Sequence, residues 1–436
     1  MTNKTYKGKI SEIFKSQLLK KTGVVFIFRI LGMVLSYVAI LFISNNYGAD
    51  VYGRFSLSQT LLQFLLLLFS LGLGVSVVKL TSDPRFFNFN KPLNRYLKNS
   101  LVLLLVSSVV GAGLIFLLKE WLATTVFKDV RLINYFNYVA LLFVFIVYQE
   151  FFTEFLRGRS KFVHYGLFKY LLPPAIFVGF LLLFRFLNFE DDTVILAYLL
   201  AFSILFVLLT FFFPFRKVNV KGVFSCTNLF TISFPMMFSA AFLFLSNWTD
   251  VFMLGAMVSK SEVGIYNAAY KLAILALIVI NAVNTVLAPK ISELYSKNSI
   301  EQIKIEVHKA TRLITYATIP IVAILIIFRE QLLGLFGEEF ILGGNVLVIV
   351  SIGLLFNAMS GSVAQVLNMT QHQNTLKKIT FISVIVNITL NYVLISSMGF
   401  VGAAVASLIS NVTLNVLCVV YIKRIFGFYT FFIPWK

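Results

Sequence analysis

Residues 229–273 read LFTISFPMMFSAAFLFLSNWTDVFMLGAMVSKSEVGIYNAAYKLA, and this stretch decides the fold. Two long apolar runs meet at a tight polar turn, Ser259-Lys260-Ser261-Glu262. The first run carries a carboxylate, Asp250, and the second an ammonium, Lys271. Charge at that depth in an apolar run is expensive, so each is a functional candidate. Runs of this length belong in a bilayer.

The remainder of the chain agrees. Of its 436 residues, 59% are hydrophobic and only 13% are charged. A soluble domain needs more polar surface than that. The two cysteines, Cys226 and Cys418, and the three histidines, His164, His308 and His372, match no ligand spacing. That argues against a metal centre or a disulfide framework, and no cofactor is expected. The formal net charge of +19 would suggest nucleic acid in a soluble protein. Here the basic residues flank apolar runs, which is the signature of membrane topology, so no nucleic-acid partner is expected.

Residues 1–21 are basic, with Ile10, Ile13, Phe14 and Leu18 at helical spacing. They read either as an amphipathic helix on the inner membrane surface or as a frayed tail. The first apolar run, from Thr22, has no small-residue cleavage site after it and reads as an uncleaved helix. Twelve spans are expected: 22–44, 55–79, 97–118, 133–156, 165–186, 193–213, 229–258, 264–288, 312–328, 343–367, 378–396 and 401–422. Each approaches the ~20 residues that cross the hydrocarbon as a helix. Strand-like alternation is absent, so the fold class is an all-α polytopic membrane protein. Of the 37 Lys and Arg, 28 fall in alternate loops on one side and 7 on the other. With residues near span ends counted to the adjoining loops, that leaves Arg29 and Lys271 within spans, and it puts both termini in the cytoplasm.

A weak internal repeat runs through the chain. Tyr52-Gly53-Arg54-Phe55 matches Val263-Gly264-Ile265-Tyr266 at an offset of 211. Leu118-Lys119-Glu120-Trp121-Leu122 matches Phe328-Arg329-Glu330-Gln331-Leu332 at 210, and Leu156 falls opposite Leu367 at 211. A near-constant offset argues for a duplicated six-helix unit. Six is even, so the copies keep one orientation, as two parallel lobes with a cavity between them. The expected division is a lobe over 22–213, a cytoplasmic linker over 214–228, a lobe over 229–422 and a cytoplasmic tail over 423–436.

Polar residues recur at helical period within these spans, marking faces that see protein or water. Thr22, Arg29 and Ser36 share one face, as do Ser56, Gln59, Gln63 and Ser70. So do Ser239, Ser246 and Asp250, and so do Asn267, Tyr270 and Lys271 with Tyr266, Asn281 and Asn284. Further stripes, Asn357 to Asn368 and Thr380 to Asn391, read as interhelical hydrogen bonding. Arg29 cannot lose its proton and must find water, an anion or a carboxylate. With Lys271, Asn267 and Tyr270 it marks a cationic cavity, which attracts phosphates and repels cationic drugs. Lys79 and Arg54 either extend the edge of that cavity or anchor the interface. Asp250 pairs with Arg29 or Lys271, or binds a coupling ion. Glu150 and Glu154, one turn apart with Arg157 on the same face, form either a salt-bridged helix end or a carboxylate site for H⁺ or Na⁺.

Three stretches make the chain familiar: LLKKTGVVFIFRILGMVLSYVAILFISNNYGADVYGRFSL, DVFMLGAMVSKSEVGIYNAAYKLA and NITLNYVLISSMGFVGAAVASLIS. The chain resembles the Wzx/RfbX-like polysaccharide (O-antigen) flippases of the MOP superfamily, which also holds the MATE exporters and lipid II flippases. The resemblance implies a MATE-like V-shaped bundle with a central cavity. It implies alternating-access flipping of a polyprenyl-pyrophosphate-linked oligosaccharide across a bacterial cytoplasmic membrane, in lipopolysaccharide or related surface-polymer biosynthesis. It also implies membrane lipids and a polysaccharide polymerase complex as partners. The chain has no P-loop, so coupling would come from an ion gradient. A MATE-type cation antiporter is the first rival. A membrane glycan polymerase is a distant one, because every outer loop is short.

Overall fold

The computed structural model of the chain describes residues 17–82, 90–211 and 226–432. The side chains of Lys79, Ser239 and Ser246 lie outside that description, as do residues 1–16 of the basic N-terminal segment and most of the 214–228 linker. The described residues contain helices and no strand. Ten of the helical stretches are long and apolar enough to cross a membrane, as befits a multi-span membrane protein.

In chain order the helices are α1 (Gln17–Phe69), α2 (Leu73–Ser82), α3 (Asn90–Trp121), α4 (Leu132–Gly158), α5 (Phe162–Gly166), α6 (Leu172–Phe186) and α7 (Thr193–Thr210). They continue as α8 (Cys226–Met257), α9 (Lys260–Ala273), α10 (Leu277–Ser296), α11 (Ile300–Ile327) and α12 (Arg329–Gly334). The last four are α13 (Gly344–Ser360), α14 (Val363–Met369), α15 (Gln373–Met398) and α16 (Phe400–Phe426).

One long helix is divided between two expected spans, and two runs that hydropathy reads as single spans are broken. Gly48 (φ 80°, ψ 176°) divides α1 where the first two expected spans meet. A π-helical turn, Leu167–Leu171, separates α5 from α6, and a 3₁₀ turn, Ile274–Ala276, separates α9 from α10. Hydropathy measures transfer to lipid and carries no information about φ and ψ, so the latter two breaks leave no mark in an apolar run.

The chain folds as two compact units. One comprises Met1–Ile43 with Ser58–Phe244, and the other Ser44–Leu57 with Leu245–Lys436. In the first unit α4 is the hub, packed against α2, α3 and α7. Its buried residues, among them Tyr135, Phe136, Phe143, Phe151 and Phe152, occupy several faces of the helix, as expected of a helix enclosed by neighbours. In the second unit the hub is α13, packed against α9, α11 and α16. The repeat offset pairs α13 with α4, so the central helix of each unit is the same member of the repeat.

The matched glycines meet within the second unit. A Cβ on Gly53 would lie 1.7 Å from the carbonyl oxygen of Lys260, and one on Gly264 would lie 2.2 Å from that of Ala49. Ala49 and Lys260 are themselves one repeat offset apart. The packing is therefore reciprocal, with each helix presenting a glycine to the backbone of the other. Local chemistry fixes both helix starts. Ser259 and Glu262 form a capping box on α9. The Ala49 amide donates to Glu339 Oε1 at 2.5 Å.

Candidate functional sites

The first unit gathers a chain of charged and aromatic groups around the π turn. Lys169 sits on that turn, just ahead of Pro173 and Pro174, which cannot supply amide hydrogens to a regular helix. A π turn inside a helix often marks a functional position. Lys169 Nζ donates to Glu150 Oε1 and Oε2 at 2.5 and 2.7 Å, and lies 3.5 Å from Glu154 Oε1. Arg157 completes the set with an ion pair of 2.6 Å to Glu154 Oε2. The guanidinium of Arg157 lies 5.6 Å from the Tyr165 ring centroid. The hydroxyls of Tyr165 and Tyr170 are 3.5 Å apart, and the Arg29 guanidinium lies 5.7 Å from the Tyr170 ring. A cavity of about 230 Å³, lined by Gln63, Ser70, Glu150, Glu154 and Arg157, opens beside this chain.

The salt-bridged reading of Glu150 and Glu154 has Arg157 as their partner, whereas the alternative reading makes them a carboxylate site for H⁺ or Na⁺. The structure adds Lys169, which the loop charge count places outside the spans. Lys169 lies inside the membrane-length stretch Phe162–Phe186, brought inward by the π turn. An intramembrane charge search over 165–186 would have found it.

The second unit holds a different kind of site. Asp250 is 6% exposed and is met by three neutral donors. Asn391 Nδ2 donates to Oδ1 at 2.6 Å, Tyr266 Oη donates to Oδ2 at 2.9 Å, and the Ser407 hydroxyl also donates to Oδ2. Asn391 Nδ2 also reaches Asn387 Oδ1 at 3.0 Å. The Asn391 side-chain oxygen is fully buried and accepts no hydrogen bond among the described residues. A cavity of about 230 Å³ adjoins Asp250, with polar lining from Asn357, Ser383, Asn387, Ser407 and Asn411. Tyr270 also lines it.

Asp250 forms no salt bridge among the described residues, so its carboxylate is held by neutral dipoles rather than by Arg29 or Lys271. Lys271 instead lies 5.6 Å from the Tyr52 ring centroid. Asn267 is buried with its side-chain oxygen unbonded. Arg54 is buried and ion-paired with Asp50 one turn back. Lys79 falls on α2, with its side chain outside the described residues. Arg29 belongs to the first unit and Lys271 to the second. The stripe Thr380 to Asn391, read as interhelical hydrogen bonding, does make such bonds, and one of them goes to Asp250. Ser407 stands on none of the polar stripes read from the sequence and is a partner that reading missed. Its spacing from Ser410 and Asn411 could have revealed it.

With these sites described, comparison with known proteins gives the class. The family described as "Polysaccharide biosynthesis protein" matches residues 18–295, and the chain belongs to it. The MatE family pattern matches residues 235–393. A relative from Haloferax volcanii, named probable low-salt glycan biosynthesis flippase Agl15, is 25% identical, covering 91% of this chain and 82% of its own length. Among solved structures, a multidrug resistance MATE family transporter of the MOP superfamily matches with a TM-score of 0.78 at 14% identity, over 91% of this chain and 94% of its own. The lipid II flippase MurJ matches with a TM-score of 0.75 at 14% identity, over 93% and 87%. The structural likeness shows a MATE-like helical fold. The family and the flippase named among its relatives make the chain a transporter, not an enzyme.

Proposed function

We propose that this protein flips a polyprenyl-pyrophosphate-linked oligosaccharide, such as an O-antigen or other surface-polysaccharide repeat unit, across the bacterial cytoplasmic membrane by alternating access. Family membership and the flippase named among its relatives support a glycan cargo. The observation that carries the reading is Arg29 on the membrane-length helix α1, which forms no ion pair among the described residues and lies 5.7 Å from the Tyr170 ring, at the end of a chain of groups that runs through Tyr165 to Arg157 and Lys169. A pyrophosphate stripped of water in hydrocarbon is prohibitively unstable, and such groups replace its hydration. Lys271, with Asn267 and Tyr270, is the corresponding candidate in the second unit. Lys79 and Arg54 are assigned to the cavity edge.

The same reading gives the chain twelve spans in two parallel six-helix lobes, over 22–213 and 229–422, with both termini in the cytoplasm. Dividing α1 at Gly48 and counting α8 brings the ten membrane-length stretches to that number. Asp250 is the coupling group for H⁺ or Na⁺. A carboxylate with only neutral partners and an adjoining polar cavity has room and charge for one monovalent cation. Glu150 and Glu154, already held by Lys169 and Arg157, fit less well as a cation site. A polymerase partner remains part of this proposal through the family resemblance alone.

The test is complementation of a strain lacking its own repeat-unit flippase, at matched membrane expression. Wild type should restore surface polymer, while Arg29→Ala, Lys271→Ala and Asp250→Asn should not. Normal polymer from both cation variants would remove the cationic route. Resistance to cationic drugs in place of polymer would favour the antiporter reading, to which the acidic Asp250 cavity lends support.

A further inference from the structure

The C-terminal end of the described chain forms a strap. The helix α16 stops at Gly427, in the left-handed conformation (φ 77°), and residues 427–432 fold back over the second unit. Phe428 is buried in a cluster with Leu287, Ile303, Val307 and Cys418. The Thr430 hydroxyl donates to the Ser360 carbonyl at 2.8 Å, and the Phe432 amide donates to that of Met359 at 2.7 Å. His308 Nε2 donates to the Tyr429 carbonyl at 2.6 Å, which ties the strap to α11. The Phe432 ring meets Tyr316 edge-on, with centroids 5.3 Å apart.

A cavity of about 150 Å³ lies where the strap meets α11. His308, Lys309 and Arg312 line it from the helix, and Phe431 and Phe432 line it from the strap. The three helix residues lie within four positions of one another, so they share one face. Among the described residues Lys309 has a single anionic partner, Glu306, at 3.5 Å. Arg312 makes no hydrogen bond or ion pair among the described residues and is half-buried. Directly after Arg312, α11 turns apolar, from Leu313 to Ile327. The cations therefore stand where the helix enters hydrocarbon.

A permanently charged guanidinium at that depth needs water or an anion. The anion that a membrane surface supplies is phosphate, and an Arg with a Lys beside it is well suited to bind one. The phenylalanines give the cavity an apolar wall, which suits the glycerol and first methylenes of a lipid better than a free aqueous ion. At roughly 30 Å³ per water, the space equals about five waters, enough for a phosphate ester and too small for a glycan.

We propose that this cavity binds the phosphate headgroup of an anionic phospholipid in the adjacent leaflet, and that the bound lipid clamps the strap onto α11. The site is separate from the proposed cargo and coupling sites, and it stands whether or not the flippase reading does.

The test uses the full chain purified in neutral detergent, with phosphatidylglycerol, phosphatidylcholine or inorganic phosphate added. Thermal unfolding and native mass spectrometry are the two readouts. Phosphatidylglycerol should raise the midpoint and stay bound, while phosphatidylcholine and inorganic phosphate should do neither. Lys309→Gln with Arg312→Gln should weaken retention of phosphatidylglycerol about a hundredfold, as two lost charge-assisted contacts would. Arg312→Lys, which keeps the charge, should retain most of it and serves as the control for folding. Equal stabilisation by phosphatidylcholine, full stabilisation by inorganic phosphate, or undiminished retention in the double variant would each overturn the proposal.

Discussion

Glu150 and Glu154 in the first unit and Asp250 in the second face one problem, a carboxylate on a membrane-spanning helix, and meet it in opposite ways. The glutamates are matched by Lys169 and Arg157, so their charge is cancelled within the cluster. Asp250 is matched by an amide and two hydroxyls, so its charge is solvated but not cancelled. An ion-paired cluster resists perturbation, because removing either partner strands the other. A carboxylate held by dipoles keeps its appetite for a cation, and that cation can come and go. The first arrangement builds a fixed, internally neutralised cluster, and the second builds an exchangeable site.

The strongest way to break this contrast is Asp250→Asn. The amide retains the size of the side chain and an acceptor for Tyr266 or Ser407, so the fold should survive with an unchanged midpoint. Transport should fall about a hundredfold, the factor carried by ~3 kcal/mol of lost cation interaction. Polymer yield at matched expression is the measure, together with its dependence on sodium and on pH. Full transport from a stable Asp250→Asn protein would reduce Asp250 to a packing group.

Lys169→Met should act in the reverse sense, through stability before transport. It leaves Glu150 and Glu154 beside each other with Arg157 as their remaining partner, and should destabilise the fold by about 3 kcal/mol. Adding Glu150→Gln should recover most of that loss, because Glu154 keeps Arg157 as its partner and no unpaired carboxylate is left. Chemical unfolding of the three proteins in detergent makes the comparison. A Lys169→Met protein as stable as wild type would mean that water already screens the cluster.

The difference between these sites was only partly legible in the amino-acid sequence. The membrane class, the helical fold and the family all followed from apolar run length, loop charge and three quoted stretches. Asp250 and Arg29 were conspicuous because a charge inside an apolar run has no bland explanation. The partners were not conspicuous. Asn391 and Ser407 lie 141 and 157 residues from Asp250, and a period of 3.6 says which residues share a face but not which faces meet. Lys169 was hidden differently. It falls inside the expected span 165–186 but goes with the basic loop Arg157-Gly158-Arg159 in the charge count, and nothing in the sequence shows that it meets Glu150. Gly48 was legible, since the break falls in the polar stretch between the expected spans 22–44 and 55–79.

The reciprocal glycine packing permits a smaller test that stays within the second unit. Gly53→Ala places a methyl group against the Lys260 carbonyl, and Gly264→Ala places one against the Ala49 carbonyl. Neither neighbour is a flexible side-chain tip, so the backbones must separate, at about 1–3 kcal/mol each. The double variant should cost less than the sum of the two, because one separation relieves both clashes. Thermal midpoints of the four proteins suffice. Additive losses would mean that the two glycines do not share a single point of close approach.

The contrast between charged and neutral partners recurs on the smallest scale at the two helix starts beside those glycines. The Ala49 amide is met by the carboxylate of Glu339, which comes from a 3₁₀ turn far along the chain. At the start of α9 the Glu262 amide is met by the hydroxyl of Ser259, and Glu262 Oε2 in turn accepts from the Ser259 amide at 3.0 Å. A charge-assisted bond is worth more than a neutral one, and a distant partner also ties two segments together. Glu339→Ala should therefore cost about 2 kcal/mol. Ser259→Ala should cost only about 1 kcal/mol, the usual loss for an N-cap hydroxyl. The two differ in kind as well as size. Ser259→Ala should fray one helix end, seen as faster amide exchange confined to the first turn of α9. Glu339→Ala should loosen both the start of the helix at Ala49 and the turn that carries residue 339. Exchange that quickens at Ala49 alone would show that the carboxylate serves as a local cap and ties nothing together.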